Sequence, residues 1–413
     1  MTKDRPPGTH AVSSGTPLRD APSCRYTGRH LVLLGAGTGR TGAELLHNVT
    51  GIRMSMSRDF DGSLPPGRLA EGEGVLFERL GAALLHGDPD QVRSLAGRTA
   101  FRVAPERHVR AGGFAAASVP GPAAAPFADT AFATWGLRAT RALSSRYTGR
   151  GIRVAILDTG VDFGHPDFAA RSVVSQSFVA GLPAGDGNGH GTFCAGVACG
   201  PDQPADAPRY GIAFGADLYV ARVLDDHAAG TDGNVVAGID WAVRNDCAVI
   251  SMSLGSPVAV GDSYPQVYER VAARALAAGS VLIAPAGNES ERPDTIAPVE
   301  HPANCPSILA VGAIDQGFTV APFSNGGLNP DGGEVDVVAP GIAIFSAAPR
   351  PTLYQSGSGT SMAAPYVAGV AALIAEADRG ARGAALRAVL LRAVLALSVP
   401  ARDAGAGLVQ APQ

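Results

Sequence analysis

From residue 129 onward the chain alternates between two hydrophobic periods. Apolar runs of strand length occur at Ile152–Leu157, Leu218–Val223, Ala248–Ser253, Val281–Ala284, Ile308–Val311 and Val335–Val338. Helical patterns lie between several of them, at Asn234–Arg244, Gln266–Ala278 and Met362–Ala375. The runs lack polar alternation, so both faces of each strand need cover, and the intervening helices can supply it. This predicts an α/β, three-layer αβα domain with a mostly parallel sheet. In such sheets ligands bind just beyond the carboxyl ends of strands, which is where candidate chemistry should be sought.

Three motifs stand at such positions. The run Ile152–Leu157 ends in Asp158-Thr-Gly-Val-Asp162. Asp186-Gly-Asn-Gly-His190-Gly-Thr192 follows, and Gly357-Ser-Gly-Thr-Ser361-Met-Ala-Ala-Pro365 opens the last long helical pattern. Alone, each has an ordinary structural explanation: a turn former, a loop histidine, a helix cap. Together they supply what a serine nucleophile needs, namely a base for its proton and a carboxylate to orient that base. The chain order is Asp158, His190, Ser361, which is the order of the subtilisin arrangement. On ILDTGVD, GHGT, APAGN and GTSMAAP, all in register, residues from about 130 to 412 resemble the subtilisin-like serine proteases, the subtilase family.

The resemblance implies roles. Ser361 would attack the peptide carbonyl, with His190 as general base and then acid, and Asp158 orienting the ring. Asn288 would donate to the oxyanion beside the Ser361 backbone N–H, near a helix N-terminus that favours negative charge. Ala228–Thr231, with Gly230, and Ser253, Leu254 and Gly255 would flank an extended polypeptide substrate as neighbouring strands. Ala284, Ala286 and Gly287 would line the pocket for the residue before the cut, and these small residues predict a roomy, apolar one. Phe193 and Tyr366 stand where the family commonly has histidines, and neither belongs to the triad.

No cofactor is required by this chemistry. Asp162, Asp167, Asp186, Asp225, Asp226 and Asp232 offer oxygen ligands, and many relatives bind calcium, but no stretch has the ligand spacing of a dedicated loop, so no metal is placed. Five scattered cysteines include no CxxC pair. Cys194 lies one helical turn beyond His190, where a thiol under the ring could confer sensitivity to heavy metals. Cys194 and Cys247 are expected to be buried hydrophobes and Cys305 an exposed thiol. A net charge of −4 provides no basic field for nucleic acid. No apolar run reaches membrane-spanning length, so no membrane partner is expected. The first residues lack the apolar core of a secretory signal, giving a cytoplasmic or atypically exported expectation, with an extracellular one by family analogy alone.

Ahead of the peptidase-like region, residues 1–28 are polar and proline-containing and are expected to be disordered, and 111–128 form a Gly/Ala/Pro linker. Between them, Leu31–Leu34, Ile52–Ser57, Val75–Leu85 (with a break at Gly81) and Thr99–Val103 suggest strands. Gly42–Val49 and a segment capped by Asp88 and running to Leu95 suggest helices, for a βαββαβ order. Residues 29–110 thus match a subtilase propeptide in size, position and order, an intramolecular partner that would make the enzyme a self-processing zymogen. One feature competes: Gly37-Thr-Gly-Arg-Thr-Gly42 follows an apolar run as a dinucleotide fingerprint does. With 53 glycines in the chain a chance match is expected, and Pro65-Pro66-Gly67 interrupts the βα units a nucleotide domain needs. The expected function is a serine endopeptidase. The alternatives are a silent peptide-binding subtilase fold, which the intact triad opposes, and a nucleotide-regulated two-domain protease.

Overall fold

The computed structural model describes residues 25–35, 40–59, 69–95, 97–112 and 126–413. The N-terminal unit runs β1 (Tyr26–Leu34), α1 (Arg40–Thr50), β2 (Arg53–Met56), β3 (Glu73–Phe77), β4 (Ala82–His86), α2 (Pro89–Arg93) and β5 (Phe101–Arg110). The expected Val75–Leu85 strand is thus two strands, paired antiparallel through a turn ending at Gly81, whose φ of 53° suits glycine. Strand β5 extends seven residues past Val103. Sheet order is β2-β3-β4-β1-β5, and β1 lies antiparallel to both β4 and β5. That is not the parallel arrangement of a dinucleotide-binding unit. Gly37 and Gly39 fall outside the described residues, and Gly42 is a buried residue of α1.

The run His30-Leu-Val-Leu-Leu34 lacks alternation because both its faces are covered. Val32 and Leu34 pack with Leu46 of α1 in one core, while Leu31 and Leu33 belong to the core that continues into the following domain.

The larger domain contains α3 (Trp135–Ala139), β6 (Arg153–Asp158), α4 (Pro166–Ala169), β7 (Val174–Ser177), α5 (His190–Cys199), β8 (Asp217–Arg222), β9 (Ala229–Thr231), α6 (Asp232–Arg244) and β10 (Val249–Met252). It continues through α7 (Gln266–Ala277), β11 (Val281–Pro285), β12 (Ile308–Ile314), β13 (Val337–Pro340), β14 (Ile344–Ala347), β15 (Tyr354–Gly357) and α8 (Thr360–Ala377). It closes with α9 (Ala384–Arg392), β16 (Val394–Leu395), α10 (Ala401–Ala404) and β17 (Leu408–Val409). The central sheet has the order β16-β17-β13-β12-β11-β10-β6-β8-β7. From β13 to β7 every neighbouring pair is parallel. Helices α5 and α8 pack together on one side, and α6 and α7 are adjacent elsewhere against the strands. The expected αβα architecture is present. Helix α8 is long and apolar enough to cross a bilayer, but 89 % of it is buried within the fold.

Polar contacts join the two units. Arg274 of α7 donates to the carbonyls of Leu80 (2.6 Å), Gly81 (2.7 Å) and Leu34 (2.8 Å), all at strand or turn ends of the N-terminal unit. Glu106, fully buried, binds the Arg29 guanidinium at 2.6 Å and accepts from Gly233 N at 2.9 Å. It therefore caps the first turn of α6, where free N–H groups favour a carboxylate. Asp240, farther along α6, accepts from Ser57 Oγ (2.7 Å) and Arg79 N (3.2 Å).

Candidate active site

Asp158 is the last residue of β6, His190 the first of α5, and Ser361 the second of α8. A parallel sheet with helices packed on it delivers all three to one edge. His190 Nδ1 lies 2.9 Å and 3.0 Å from the two Asp158 carboxylate oxygens, and both residues are almost wholly buried. Burial disfavours the imidazolium, but the Asp158 carboxylate outweighs it and holds the His190 pKa well above the ordinary 6.5. Cys194 Sγ lies 3.8 Å from His190 Nδ1 and 3.6 Å from the Ser361 carbonyl oxygen, so ring and serine flank one sulfur. The Ser361 hydroxyl is buried and has no hydrogen-bond partner among the described residues.

The Asn288 amide is oriented by its own carbonyl. Its Oδ1 accepts from Thr360 N at 2.8 Å and Thr360 Oγ1 at 3.0 Å, which turns Nδ2 the other way. Gly287 permits this turn: its φ is 111°, and a β-carbon there would lie 2.2 Å from Asn325 Nδ2. Where Nδ2 points is marked by Gly112, at which a β-carbon would stand 2.6 Å from Asn288 Nδ2 and 3.2 Å from Ser361 Oγ.

The other expected site residues are placed as follows. Gly230 in β9 pairs with Val109, and Gly255 bridges to Arg110. The Ser253 hydroxyl donates to the Ser361 carbonyl at 2.9 Å, steadying the first turn of α8, and Leu254 is buried beside it. Ala286 is buried and its carbonyl accepts from Glu300 N, whereas Ala284 lies inside the sheet opposite Ala310. Phe193 and Tyr366 are fully buried, and Tyr366 packs over Gly136, where a β-carbon would meet its hydroxyl at 2.1 Å. The two departures from the family pattern are absorbed as core.

Asp186, read from the sequence only as an oxygen ligand, has a positioning task. It accepts from Thr192 N (2.9 Å) and Oγ1 (2.6 Å), from Asn188 N and Gly189 N, and from Thr159 Oγ1 (2.9 Å). Thr159 Oγ1 in turn accepts from Gly191 N. Burial would raise the Asp186 pKa, but these donors outweigh it and lower it. Asp186 thereby ties the residue after Asp158 to the turn that begins with His190. Its position four residues before the histidine was the available signal.

The remaining aspartates are engaged with protein groups. Asp162 pairs with Arg350, Asp167 accepts from Tyr210 and Tyr354, Asp226 pairs with Arg222, and Asp232 binds His301. Asp225 accepts from His227 N and Ala229 N. Among the described residues the single grouping with metal-ligand spacing is Asp158, His190 and Cys194.

Cys194, Cys199, Cys247 and Cys305 are all free and buried. The expected exposure of Cys305 is corrected. The turn that precedes β12 folds inward there, with Cys305 N bonded to Pro302 O and Cys305 O accepting from Ile308 N. Burial raises each thiol pKa, that of Cys199 to about 11 and that of Cys247 to about 12. The thiolate is the reactive species. Iodoacetamide is therefore expected to leave these four cysteines unmodified in the native protein and to alkylate them after denaturation, as read by peptide mass mapping.

A carboxylate, an imidazole and a serine at strand and helix ends, with an oriented amide beside them, thus meet at one edge of the sheet. Residues 149–407 match the model of the subtilase family, and the chain belongs to that family. Subtilisin E of Bacillus subtilis (strain 168) is 39 % identical over 231 residues, which is 56 % of this chain and 57 % of that protein. Subtilisin DY of Bacillus licheniformis is 39 % identical over 241 residues, 58 % of this chain and 81 % of its own length. Subtilisin Savinase of Lederbergia lenta is 36 % identical over 244 residues, 58 % of this chain and 83 % of its own length. The chain thus spans little more than half of the first of these relatives.

The oriented Nδ2 makes Asn288 the candidate oxyanion donor. Asn288→Ala is expected to lower kcat by about 10²–10³ with little change in KM, a magnitude taken from a subtilisin. Steady-state kinetics on a peptide p-nitroanilide checks it.

Proposed function

We propose that the protein is a serine endopeptidase made as a zymogen, with residues 25–112 acting as its propeptide and with the bond between Gly112 and Gly113 as the site of self-cleavage. One observation carries this reading: the end of the N-terminal unit lies in the cleft in the manner of a substrate. Val109 pairs with Gly230 of β9. Arg110 N donates to Gly255 O at 2.9 Å and Gly255 N to Arg110 O at 2.8 Å. Ala111 N donates to Ala228 O at 3.0 Å. The segment is therefore the middle strand of a three-stranded antiparallel arrangement, the backbone recognition mode of an added strand. Its next residue, Gly112, arrives at Ser361 Oγ and Asn288 Nδ2.

The chemistry follows from the positions. Ser361 Oγ attacks the Gly112 carbonyl carbon while its proton passes to His190. Asp158 stabilises the resulting imidazolium, and Asn288 Nδ2 with the Ser361 N–H holds the oxyanion. The imidazolium then gives its proton to the Gly113 nitrogen as the bond breaks, and water releases the acyl-enzyme by the same route. Cleavage would leave β5 hydrogen-bonded in the cleft and Glu106, Asp240 and Arg274 still in contact, so the released propeptide remains an inhibitor until removed. Intact mass and N-terminal sequencing of the wild type beside Ser361→Ala test this reading.

A further inference from the structure

The small residues at 284–287 suggest an apolar pocket for the residue before the cut, yet a carboxylate lies behind them. Glu300 N donates to Ala286 O at 3.0 Å, and the next residue, His301, bridges to Ser256. Glu300 is thus held between the two segments that flank Gly112: 253–256, which carries Arg110, and 286–288, which ends at the oxyanion donor. Its side chain lies flat against Gly255, where a β-carbon would meet its carboxyl carbon and one carboxyl oxygen at 2.1 Å. Gly255 therefore serves the carboxylate as well as the substrate backbone, because any side chain there would displace it.

Glu300 is 7 % exposed, and no hydrogen bond reaches its carboxylate from the described residues. Its acidic neighbour Glu289, by contrast, accepts from Asn325 Nδ2 at 2.6 Å and Asn288 N at 3.0 Å. Burial first, and the Glu289 charge second, push the Glu300 pKa well above the ordinary carboxyl range. A buried carboxylate without a partner is costly, and the buried carboxylates of Glu106 and Asp186 are hydrogen-bonded. A cation entering beside Gly255 would relieve both desolvation and like-charge repulsion, while an apolar side chain would deepen them.

Resting on the endopeptidase reading above, we infer that Glu300 is a specificity-determining residue and that the enzyme cuts foreign polypeptides after lysine or arginine. The chain's own Gly112 brings no side chain to this carboxylate. Its cleavage relies on attachment, since a tethered segment is presented at an effective concentration of order mM without needing pocket affinity.

The test compares acetyl-Val-Ala-Ala-X-p-nitroanilides with X = Arg, Lys, Phe or Gly on processed wild type and Glu300→Gln. p-Nitroaniline release reports cutting after X alone. Wild type is expected to show kcat/KM for Arg and Lys at least about tenfold above Phe and Gly, and Glu300→Gln to lower the Arg/Phe ratio by at least about tenfold. The ratio is taken within one preparation, so partial misfolding of the variant does not alter it, and the wild-type profile alone is decisive if the variant yields no enzyme. A wild-type preference for Gly, with Arg rejected, would make Glu300 a plug and overturn the inference. So would a Phe preference, or a ratio that the substitution leaves unchanged. If none of the peptides is cut but a fluorophosphonate still labels Ser361, the specificity inference fails while the hydrolase reading stands. If labelling is absent as well, both fail.

Discussion

Ser361→Ala is expected to accumulate as the uncut chain, whereas the wild type appears as two fragments with a new N-terminus at Gly113. The expectation is specific to one bond because the strand register allows little freedom. Arg110 exchanges both backbone hydrogen bonds with Gly255, and Val109 faces Gly230, so a one-residue slip would break all of these contacts and turn every side chain to the opposite face. Val109, 1 % exposed, would then leave its buried site in favour of exposed Arg110. Loss of cleavage should be complete within measurement, since Ser361 Oγ is the nucleophile that Gly112 meets. A new N-terminus several residues away would overturn the register, and equal cleavage of the alanine variant would show that another protease matures the chain.

Asp158→Asn is expected to lower kcat by about 10⁴, the loss seen when a triad carboxylate becomes an amide. The carboxylate accepts from His190 Nδ1 through both oxygens, keeping the proton on Nδ1 and leaving Nε2 to act as base. An amide can present its NH₂ instead and favour the wrong tautomer. The pH profile gives a second readout. His190 must be neutral to accept the serine proton, so kcat/KM falls as pH drops through its pKa. In the wild type Asp158 raises that pKa against the opposing effect of burial, which places the acid limb above 6.5. Without the carboxylate the first of the raising influences is gone and burial opposes only that of Cys194, so the pKa falls and the residual activity of the variant should persist to lower pH. An unmoved acid limb would mean that another group sets it.

How much of this was legible in the sequence differs between the elements. The six apolar runs were readable because a strand covered on both faces must be apolar throughout, whatever it packs against. Val75–Leu85 was harder: Phe77, Leu80 and Ala82 are all fully buried, so the turn between β3 and β4 carries no polar mark except Glu78 and Arg79. Cys305 was misplaced because its loop folds under the domain, and a local stretch of Pro-Ala-Asn-Cys-Pro carries no trace of that burial. Asp186 was visible as an acid but not as the tie between Asp158 and His190, since Thr159 stands 27 residues away in sequence.

The sequence by itself determined the parallel αβα domain, the subtilase family and the identity of the candidate triad and Asn288. Each of these depends on residue type at a strand or helix end, and such ends are marked by local periodicity and by motifs in register. Tertiary structure alone decided where the N-terminal unit finishes relative to Ser361 and what lies beneath Gly255. Those questions concern contacts between Arg110 and Gly255, Gly112 and Asn288, and Gly255 and Glu300. Residues so far apart along the chain meet only after the sheet has formed, and a single sequence contains no local signal of that meeting.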